Sequence, residues 1–583
     1  MPGRPNRILS DIARWNLELH YRQIPESCLE KARCQFLSVL ASVYAGRHLE
    51  ESQSVLRSVG KLYQGREATI LATGEKSSVE GAVLANASLS MAHDFDDYLF
   101  MGHTGHSAVL VSLALCEALD KKVSDLVACQ VAANEIAGRL GASALLGPLN
   151  GQMWSFIHLA SACCVAGRLR RLTRDQMENA LAIALSMPPY PMQEGFFATG
   201  AKLLTASWPA ILGVQAAVLA SEGMTGPRGV LDQDGGFYEV FSYHPIRGAW
   251  EGLGTSWVTE SLAIKLYPGC AYLDSALDAL ERILGRVEAE RGQALAPSDI
   301  DRIIVRATLV TQEMERLSRL FGAGSLHPTL LNFSVRYSFA WRLLQGSLSP
   351  RELTREAVRR REAELRSLAG RIHLVPDTRL NSLLIESLVE KAGLGRIVRE
   401  MGVRGIASVL RKASDRYAIA DLLSGERTRS GQSEGAAGAR KESRGRARTI
   451  ARLASSVLLA RSRRFSLGDL RPEEFEFPFG SRVLVYLKDG SVFEDEQQVP
   501  TGAPGNRSVD LISVAGRKFR VQAEGLLGEA RTEEVLAALL GAGPETSVRS
   551  LLRLLRGEGK GVRRGTGKAG ARNRHEGGGG KRK

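Results

Sequence analysis

Apolar residues recur at helical spacing through the first half of the chain, from about residue 8 to residue 290. One example begins after Pro25 and ends near Gly46, with its apolar face at Leu29, Ala32, Phe36, Leu40 and Val43. Thr173 and Gln176 have the spacing of a capping box, and residues 206–222 have the length and composition of another helix. The pattern predicts an all-helical domain over residues 1–290.

The pattern changes after residue 298. Residues 300–308 and 371–375 alternate apolar and polar positions as strands do, whereas residues 333–346 between them have helical spacing. Residues 482–499 are typical of a hairpin turning at Asp489-Gly490, a dipeptide that tolerates the positive φ angles of a type I′ turn. We therefore expect a smaller α+β domain in two parts, residues 291–380 and residues 471–530.

Other segments interrupt and follow this smaller domain. Residues 381–470 are predicted to be a helical insertion with a disordered basic arm, residues 531–556 two short helices, and residues 557–583 a disordered basic tail. The expected fold class is mainly α: a large all-helical domain plus a smaller α+β lid domain, with a helical insertion in the lid region.

The composition is compatible with a multidomain cytoplasmic protein. The chain has 583 residues, which is too long for one simple core. We find neither an apolar run of membrane-spanning length nor the apolar core of a signal peptide. The seven cysteines are odd in number and form no CxxC pair, which indicates free thiols and a reducing compartment.

The net charge of +14 would suggest nucleic acid as a partner. Its distribution argues against a folded basic face. Residues 427–464 carry a net charge of +9 and residues 557–583 carry +7, so the rest of the chain is nearly neutral. We therefore expect solvated basic segments, with nucleic-acid contact through the arm and tail as the weaker alternative.

The most informative segment is HDFDDYLFMGHTGH, residues 93–106, which lies between two predicted apolar helices. It contains three of the ten histidines of the chain and three carboxylates. A polar loop between apolar helices is expected to be partly buried, and burial with close like charges moves pKa values toward neutrality.

Four segments together resemble the MmgE/PrpD family. They are residues 93–115 with the DFDD motif, residues 200–237 with a lysine at a helix start and a GMTGP turn, residues 263–280 with KLYPGC, and residues 333–340 with FSVRYSFA. The hairpin with KDG and the later Lys518-Phe519 pair also fit. Each motif is weak by itself, but the four occur in the family's order.

The resemblance implies a helical domain and a lid domain, a homodimer, and a site between the domains that needs no cofactor and no metal. It also implies a lyase acting on a small di- or tricarboxylate by proton abstraction beside a carboxylate, with dehydration, as in 2-methylcitrate dehydratase, favoured. Decarboxylation and epimerisation within the family are the alternatives. Such chemistry needs cations for the carboxylates and a base with a pKa near neutrality.

Carried over by position, the catalytic residues are His103, Asp94, Tyr337 and Lys265. In this interpretation His103 exchanges the proton, Asp94 sets its tautomer, and Tyr337 acts from the lid. Lys265 shares with Lys202 the task of holding substrate carboxylates. The remaining expected substrate-binding residues are His106, Asp97, Gln152 and Cys270.

Three positions depart from the family pattern. Tyr98 stands where many members have threonine, and Cys270 stands where decarboxylating members have histidine. Gln152 occupies the position of a common histidine, although His158 lies close by in the sequence. Because of these departures, the resemblance indicates the family but does not indicate which of its reactions this chain would catalyse.

Two other interpretations remain open. The H-x-x-H spacing of His103 and His106 could hold a divalent metal, and His93-Asp94 is similar to the start of an HD-type phosphohydrolase motif, although the further ligands of that fold are not evident. Alternatively, the fold could be a non-catalytic protein that binds anionic partners through its basic arm and tail.

Overall fold

The computed structural model describes residues 7–100, 102–148, 153–322, 324–414 and 464–556. Almost all of the predicted basic arm and the whole of the predicted tail lie outside these residues. The helices of the first part are α1 Arg7–Glu18, α2 Glu26–Gly46, α3 Glu50–Leu62, α4 Val79–Met91, α5 Gly105–Ala108, α6 Leu110–Ala118, α7 Val123–Ser143, α8 Ser155–Leu169, α9 Arg174–Ser186, α10 Gln193–Ala198, α11 Leu204–Ser221, α12 Phe237–Phe241 and α13 Asp274–Arg291.

The centre of the helical domain is formed by α4, α7, α8 and α11, which pack against one another. Small residues on these helices permit close approach: a Cβ atom at Gly213 of α11 would lie 2.3 Å from the carbonyl oxygen of Leu159 in α8. The predicted Thr173–Gln176 capping box is present at the start of α9. The expected mainly helical character of this part of the chain is therefore confirmed, apart from short two-residue strands.

One segment of this domain, Gly200–Ser221, is long and apolar enough to span a membrane by composition alone. Two thirds of its most apolar 18-residue stretch is buried inside the protein, where the helix packs against α4, α8 and α9. Core packing accounts for this hydropathy, because a helix buried on most of its surface needs apolar residues on most of its faces.

The smaller domain contains a four-stranded sheet. Its strands are β5 Ile300–Ala307, β6 Ile372–Pro376, β7 Ser481–Leu487 and β8 Val492–Gln497, in the spatial order β6-β5-β7-β8. The β5–β6 pair is parallel and the other two pairs are antiparallel. The helices between β5 and β6 are α14 Leu309–Leu320, α15 Pro328–Leu331, α16 Val335–Gln345, α17 Arg355–Arg360 and α18 Glu362–Ala369.

The hairpin is present, but its turn differs from the prediction. Gly490 has φ of +90°, whereas Asp489 is not among the residues with positive φ. A type I′ turn needs positive φ at both central residues, so that prediction was wrong. The chain instead makes a longer loop closed by hydrogen bonds from Leu487 N to the Ser491 carbonyl and from Gly490 N to the Leu487 carbonyl.

The last described helices are α19 Thr378–Glu390, α20 Leu394–Ser414, α21 Leu511–Leu527, α22 Glu529–Leu540 and α23 Val548–Leu555. The helices α19 and α20 agree with the expected insertion. The sequence interpretation missed α21, which packs along α2 of the helical domain. The contact between α2 and α21 brings the C-terminal part of the chain to the polar loop.

Short strands complete the framework of the site. The pair β1 Ala68–Thr69 and β2 Lys76–Ser77 lies beside α4. The pair β3 Asp97–Tyr98 and β4 Ala263–Ile264 is antiparallel, with Asp97 opposite Ile264. This second pair holds the polar loop against the segment that carries Lys265.

Candidate active site

The polar loop of residues 93–106 connects α4 to α5 in the interior of the protein. Asp94 adopts a left-handed conformation with φ of +55°, which aspartate tolerates better than most residues. Gly105 is needed at the start of α5, because a Cβ atom there would lie 2.0 Å from Asp97 Oδ1. The backbone thus turns three adjacent carboxylates into the core.

Asp96 is the centre of the polar cluster. Its Oδ2 atom lies 2.9 Å from His103 Nδ1 and 3.0 Å from His106 Nε2, and its Oδ1 atom lies 2.6 Å from Lys265 Nζ. Burial alone would raise the pKa of the Asp96 carboxyl, but Lys265 and the two histidines outweigh it and hold this pKa well below its usual range. Asp96 is therefore ionised: its Oδ2 atom accepts a hydrogen bond from His103 Nδ1, and Lys265 Nζ and His106 Nε2 lie within ion-pair distance.

This arrangement determines the tautomer of His103. Since ionised Asp96 can only accept, Nδ1 of His103 carries the proton, and Nε2 of a neutral ring is left with a free lone pair. His103 is 8% exposed, more than the other groups of the cluster. Its Nε2 atom is therefore the ring nitrogen that is left for contact with a bound molecule.

Asp94 has a different role from the one expected. Its Oδ1 atom lies 3.2 Å from Lys265 Nζ and 3.7 Å from Lys202 Nζ. The prediction that Asp94 sets the tautomer of His103 was wrong, because the partner of His103 is Asp96. Asp94 instead neutralises and positions the two lysines.

The two lysines differ electrostatically. Burial and the nearby charge of Lys265 lower the pKa of Lys202, against the opposing effect of Asp94. For Lys265, burial would also lower the pKa, but Asp94 and Asp96 outweigh it and raise it above its usual value. The Lys202 ammonium lies 5.0 Å from the centre of the Phe333 ring, a cation–π contact that partly replaces its water shell.

The structure adds a third lysine that the sequence interpretation assigned to no role. Lys518 of α21 donates from Nζ to Ser38 Oγ at 2.9 Å, to the Phe95 carbonyl at 2.6 Å and to the Asp96 carbonyl at 3.3 Å. Burial lowers the pKa of Lys518 to about 7. The only sequence signal was its place in the Lys518-Phe519 pair of the family resemblance.

Asp97 and His106 lie in the scaffold behind the cluster. Asp97 accepts from Gln35 Nε2 at 2.8 Å, and burial together with neighbouring Asp96 raises its pKa to about 6. His106 is fully buried, with Nδ1 2.7 Å from Ser90 Oγ and Nε2 3.0 Å from Asp96 Oδ2. Both residues were expected to bind substrate; in the structure their contacts are with neighbouring protein groups, and substrate binding by them stays a prediction.

His158 extends the row of imidazoles. Its ring packs edge-on against His106 at 5.7 Å, and its Nδ1 atom is 2.9 Å from Ser107 Oγ. Burial, reinforced by the neighbouring His106 and His103 rings, holds the pKa of His158 well below its usual value, so the ring is neutral at pH 7. Gln152, the other residue expected in this region, lies outside the described residues.

Of the two remaining expected residues, Cys270 lies near the charged cluster, whereas Tyr337 makes no hydrogen bond to it within the described residues. Cys270 is buried close enough to Asp94 and Lys265 to interact electrostatically with both, and burial raises the pKa of its thiol to about 12. Tyr337 is half-buried on α16 and packs against the apolar core. Within the described ranges, its hydroxyl makes no hydrogen bond to the cluster, so its role as a proton donor stays a prediction.

Asp94, Asp96 and His103 are close enough to bind a cation, since their ligand atoms lie within 4.8 Å of one another. The Lys265 ammonium contacts both of these carboxylates. A divalent ion between the same oxygens would face that ammonium at short range and be repelled. The cluster thus supplies its own cation, which favours the metal-independent interpretation.

The chain is similar in sequence to one protein family and to several curated proteins. Residues 10–247 match the model of the MmgE/PrpD N-terminal domain, a segment that includes the polar loop and Lys202. Cis-aconitate decarboxylase of Aspergillus terreus is 26% identical over 298 residues, 48% of this chain and 60% of that protein. Human cis-aconitate decarboxylase is 29% identical over 236 residues, 39% of this chain and 48% of that protein. The matched regions thus span about half to three fifths of these relatives.

Proposed function

We propose that this chain, which belongs to the MmgE/PrpD family through its N-terminal domain, is a lyase that acts on a small carboxylate. The observation that carries the proposal is the His103–Asp96–Lys265 arrangement, in which one ionised carboxylate orients a histidine base and holds a buried ammonium. A base beside a fixed cation is the pairing needed to form and stabilise an enolate-like species next to a carboxylate.

In the proposed reaction, Lys202 and Lys265 hold a carboxylate of the substrate. Nε2 of His103 accepts the proton from the neighbouring carbon, and the electron pair left on that carbon is delocalised into the carboxylate, whose added charge the ammonium groups stabilise. Expulsion of a β-hydroxyl group, which leaves as water after taking up a proton, completes a dehydration.

Decarboxylation is the second candidate, since the named relatives are cis-aconitate decarboxylases. In that case carbon dioxide leaves first, and protonated His103 would return a proton to the resulting carbanion. Epimerisation would use the same carbanion without losing a group. Dehydration is the version we favour, in which His103, with its Nδ1 proton held by Asp96, accepts the carbon-bound proton at Nε2.

The test is a screen of purified protein against C4 to C7 hydroxy- and unsaturated polycarboxylates in deuterated water, followed by NMR and mass spectrometry. Deuterium incorporation beside a carboxylate would support proton abstraction, and product mass would separate loss of water, loss of carbon dioxide and epimerisation. Absence of exchange and turnover across the panel would contradict the proposal and favour a binding protein.

A homodimer also remains a proposal. The outer face of α11 exposes Trp208, Leu212 and Leu219, which follow one another at helical spacing and give an apolar stripe. Such a stripe is suited to pairing with a second copy of the chain. Sedimentation of the wild type and of Trp208→Glu would test this, since the substitution should shift the chain toward the monomer if α11 forms the contact.

A further inference from the structure

A cavity that plays no part in the proposed reaction lies between the helical domain and the C-terminal helices. It has a volume of about 600 Å³ and is partly open to solvent. Small-molecule sites typically have volumes of about 300 to 1,000 Å³, so this cavity is large enough for a ligand. The helices α2, α7, α22 and α23 form most of its wall, through residues that include Leu29, Phe36, Leu126, Val127, Leu539 and Leu551.

The inside of the cavity is almost entirely apolar. Its polar side chains are Tyr21, Arg33 and Gln130, and the others are aliphatic residues and one phenylalanine. Gln130 is buried, and its Nε2 atom donates to the Ala32 carbonyl at 2.9 Å and to Gln35 Oε1 at 2.8 Å. Both of its amide hydrogens are thus used within the protein. Because a polar group buried without a partner is costly, the part of a ligand that fills this cavity has to be apolar.

Arg33 is the only charged side chain among the described residues that line the cavity. Its side chain is 39% exposed, and it forms a long surface ion pair with Glu26, at 3.7 Å. A surface ion pair of this length contributes little to stability and competes weakly with a ligand. The forked N–H donors of a guanidinium fit a carboxylate or a phosphate, so Arg33 supplies a binding point for one anionic group at the open side of the cavity.

The cavity and the polar cluster lie on opposite sides of α2. Leu29 and Phe36 face the cavity, whereas Ser38, which accepts from Lys518 beside the polar loop, lies about 180° away around the helix axis. A helix with its side chains is about 10 to 12 Å across. A ligand in the cavity and a substrate at His103 would therefore occupy separate sites.

We propose that this cavity binds an amphiphile with one aliphatic chain and one anionic head group, with the chain between the helices and the head group at Arg33. A di- or tricarboxylate does not fit, because a second charge would be buried without a partner. The site is thus distinct from that of the proposed reaction, and the inference does not rest on that reaction.

The test is titration calorimetry of the full-length protein with butanoate, hexanoate and octanoate. Affinity should rise about fourfold for each CH2 group buried, with one ligand bound per chain. Octylammonium, which has the same chain as octanoate and the opposite charge, should bind at least tenfold more weakly than octanoate. Octyl phosphate completes the series, since its affinity relative to octanoate shows which anionic head group Arg33 prefers.

The head-group contact is tested by Arg33→Met, which keeps an apolar stem. It should weaken octanoate binding about tenfold, because a hydrogen bond to a charged group is lost, and leave octylammonium binding no weaker. Arg14→Met is the matched control. Arg14 is also a partly exposed arginine in a surface ion pair, with Asp11 at 3.3 Å, but it does not line the cavity. The control should leave the affinities for both amphiphiles unchanged.

Leu540→Glu is a second variant, which the fold should tolerate because Leu540 is 41% exposed. It adds a carboxylate to the wall of the cavity. Octanoate binding should weaken at least tenfold and octylammonium should become the tighter ligand, because the new charge repels one head group and attracts the other. The Tm should equal that of the wild type.

Three results would overturn the proposal. Octanoate affinity that Arg33→Met leaves unchanged would remove the head-group contact. Affinity that does not depend on chain length would indicate electrostatic binding to the basic segments and not burial in the cavity. Absence of binding, together with a dimer that Leu540→Glu dissociates in sedimentation, would make the cavity a contact between two copies of the chain. None of these results bears on the proposed lyase, which deuterium exchange tests separately.

Discussion

The substitution Asp96→Asn is the most direct test of the catalytic cluster. It keeps the size of the side chain but removes its negative charge. The carboxylate oxygens of Asp96 lie 2.9 Å from His103 Nδ1, 3.0 Å from His106 Nε2 and 2.6 Å from Lys265 Nζ. An asparagine offers one acceptor oxygen and directs an NH2 group at another donor. Either Lys265 or both histidines therefore lose their acceptor, according to which side the amide nitrogen takes.

The expected magnitude follows from these contacts. Breaking a buried ion pair by removing one partner typically costs about 3 to 5 kcal/mol. Lys265 retains Asp94, so we expect the lower end, about 3 kcal/mol, which a domain with a stability of about 5–15 kcal/mol survives. The orientation and tautomer of His103 should be lost, with kcat falling by about 10² to 10⁴.

The effect on stability should depend on pH. The pKa of Asp96 is held below its ordinary value, so its contribution is fully present above the pKa of an unfolded aspartate, about 4. It is lost as the pH falls from there toward the lower pKa of the folded state. The stability difference between wild type and Asp96→Asn should therefore be constant near pH 7 and shrink below pH 4.

Steady-state kinetics and urea unfolding at a series of pH values would measure both effects. Asp94→Asn is the matched control, since Asp94 contacts the lysines and not His103. It should raise KM more than it lowers kcat. Turnover of Asp96→Asn within twofold of the wild type would refute the assignment of Asp96 as the residue that orients the base.

Four further predictions follow from the same cluster. His103→Asn should lower kcat by about 10² to 10⁴ with the fold retained, whereas His106→Asn, whose ring only supports Asp96, should lower it less; the reverse order in steady-state assays would exchange their roles. Asp97→Asn should keep or increase the unfolding free energy at pH 8 in urea titrations. The reason is that burial and Asp96 raise the pKa of Asp97 to about 6, so its ionised form opposes folding above that pH, and the benefit should disappear below pH 4. Lys518→Met should lower kcat by about tenfold or more, because the loop backbone loses its three Nζ contacts; unchanged kinetics would make Lys518 purely a packing residue. Exhaustive EDTA treatment should leave activity intact, and activity restored only by adding back a stoichiometric metal would favour the phosphohydrolase interpretation.

The sequence by itself determined the helical domain, the positions of the main strands and the composition of the site. These features depend on local periodicity and on residue type, as in the capping box at Thr173 and the alternation along β5. The loop of residues 93–106 could be recognised as chemically active because histidines and aspartates are concentrated between two apolar helices.

Only the tertiary structure decided which charged side chains are in contact. Lys265 and Asp94 are 171 positions apart, and Lys518 and Asp96 are 422 apart, so no local pattern encodes either contact. Nor does sequence order show whether Asp94 or Asp96 accepts from His103, because both carboxylates contact Lys265 and only the placement of the loop gives His103 to Asp96. Pairing of buried charges depends on where the backbone places them, and that is set by the packing of distant elements such as α2 against α21.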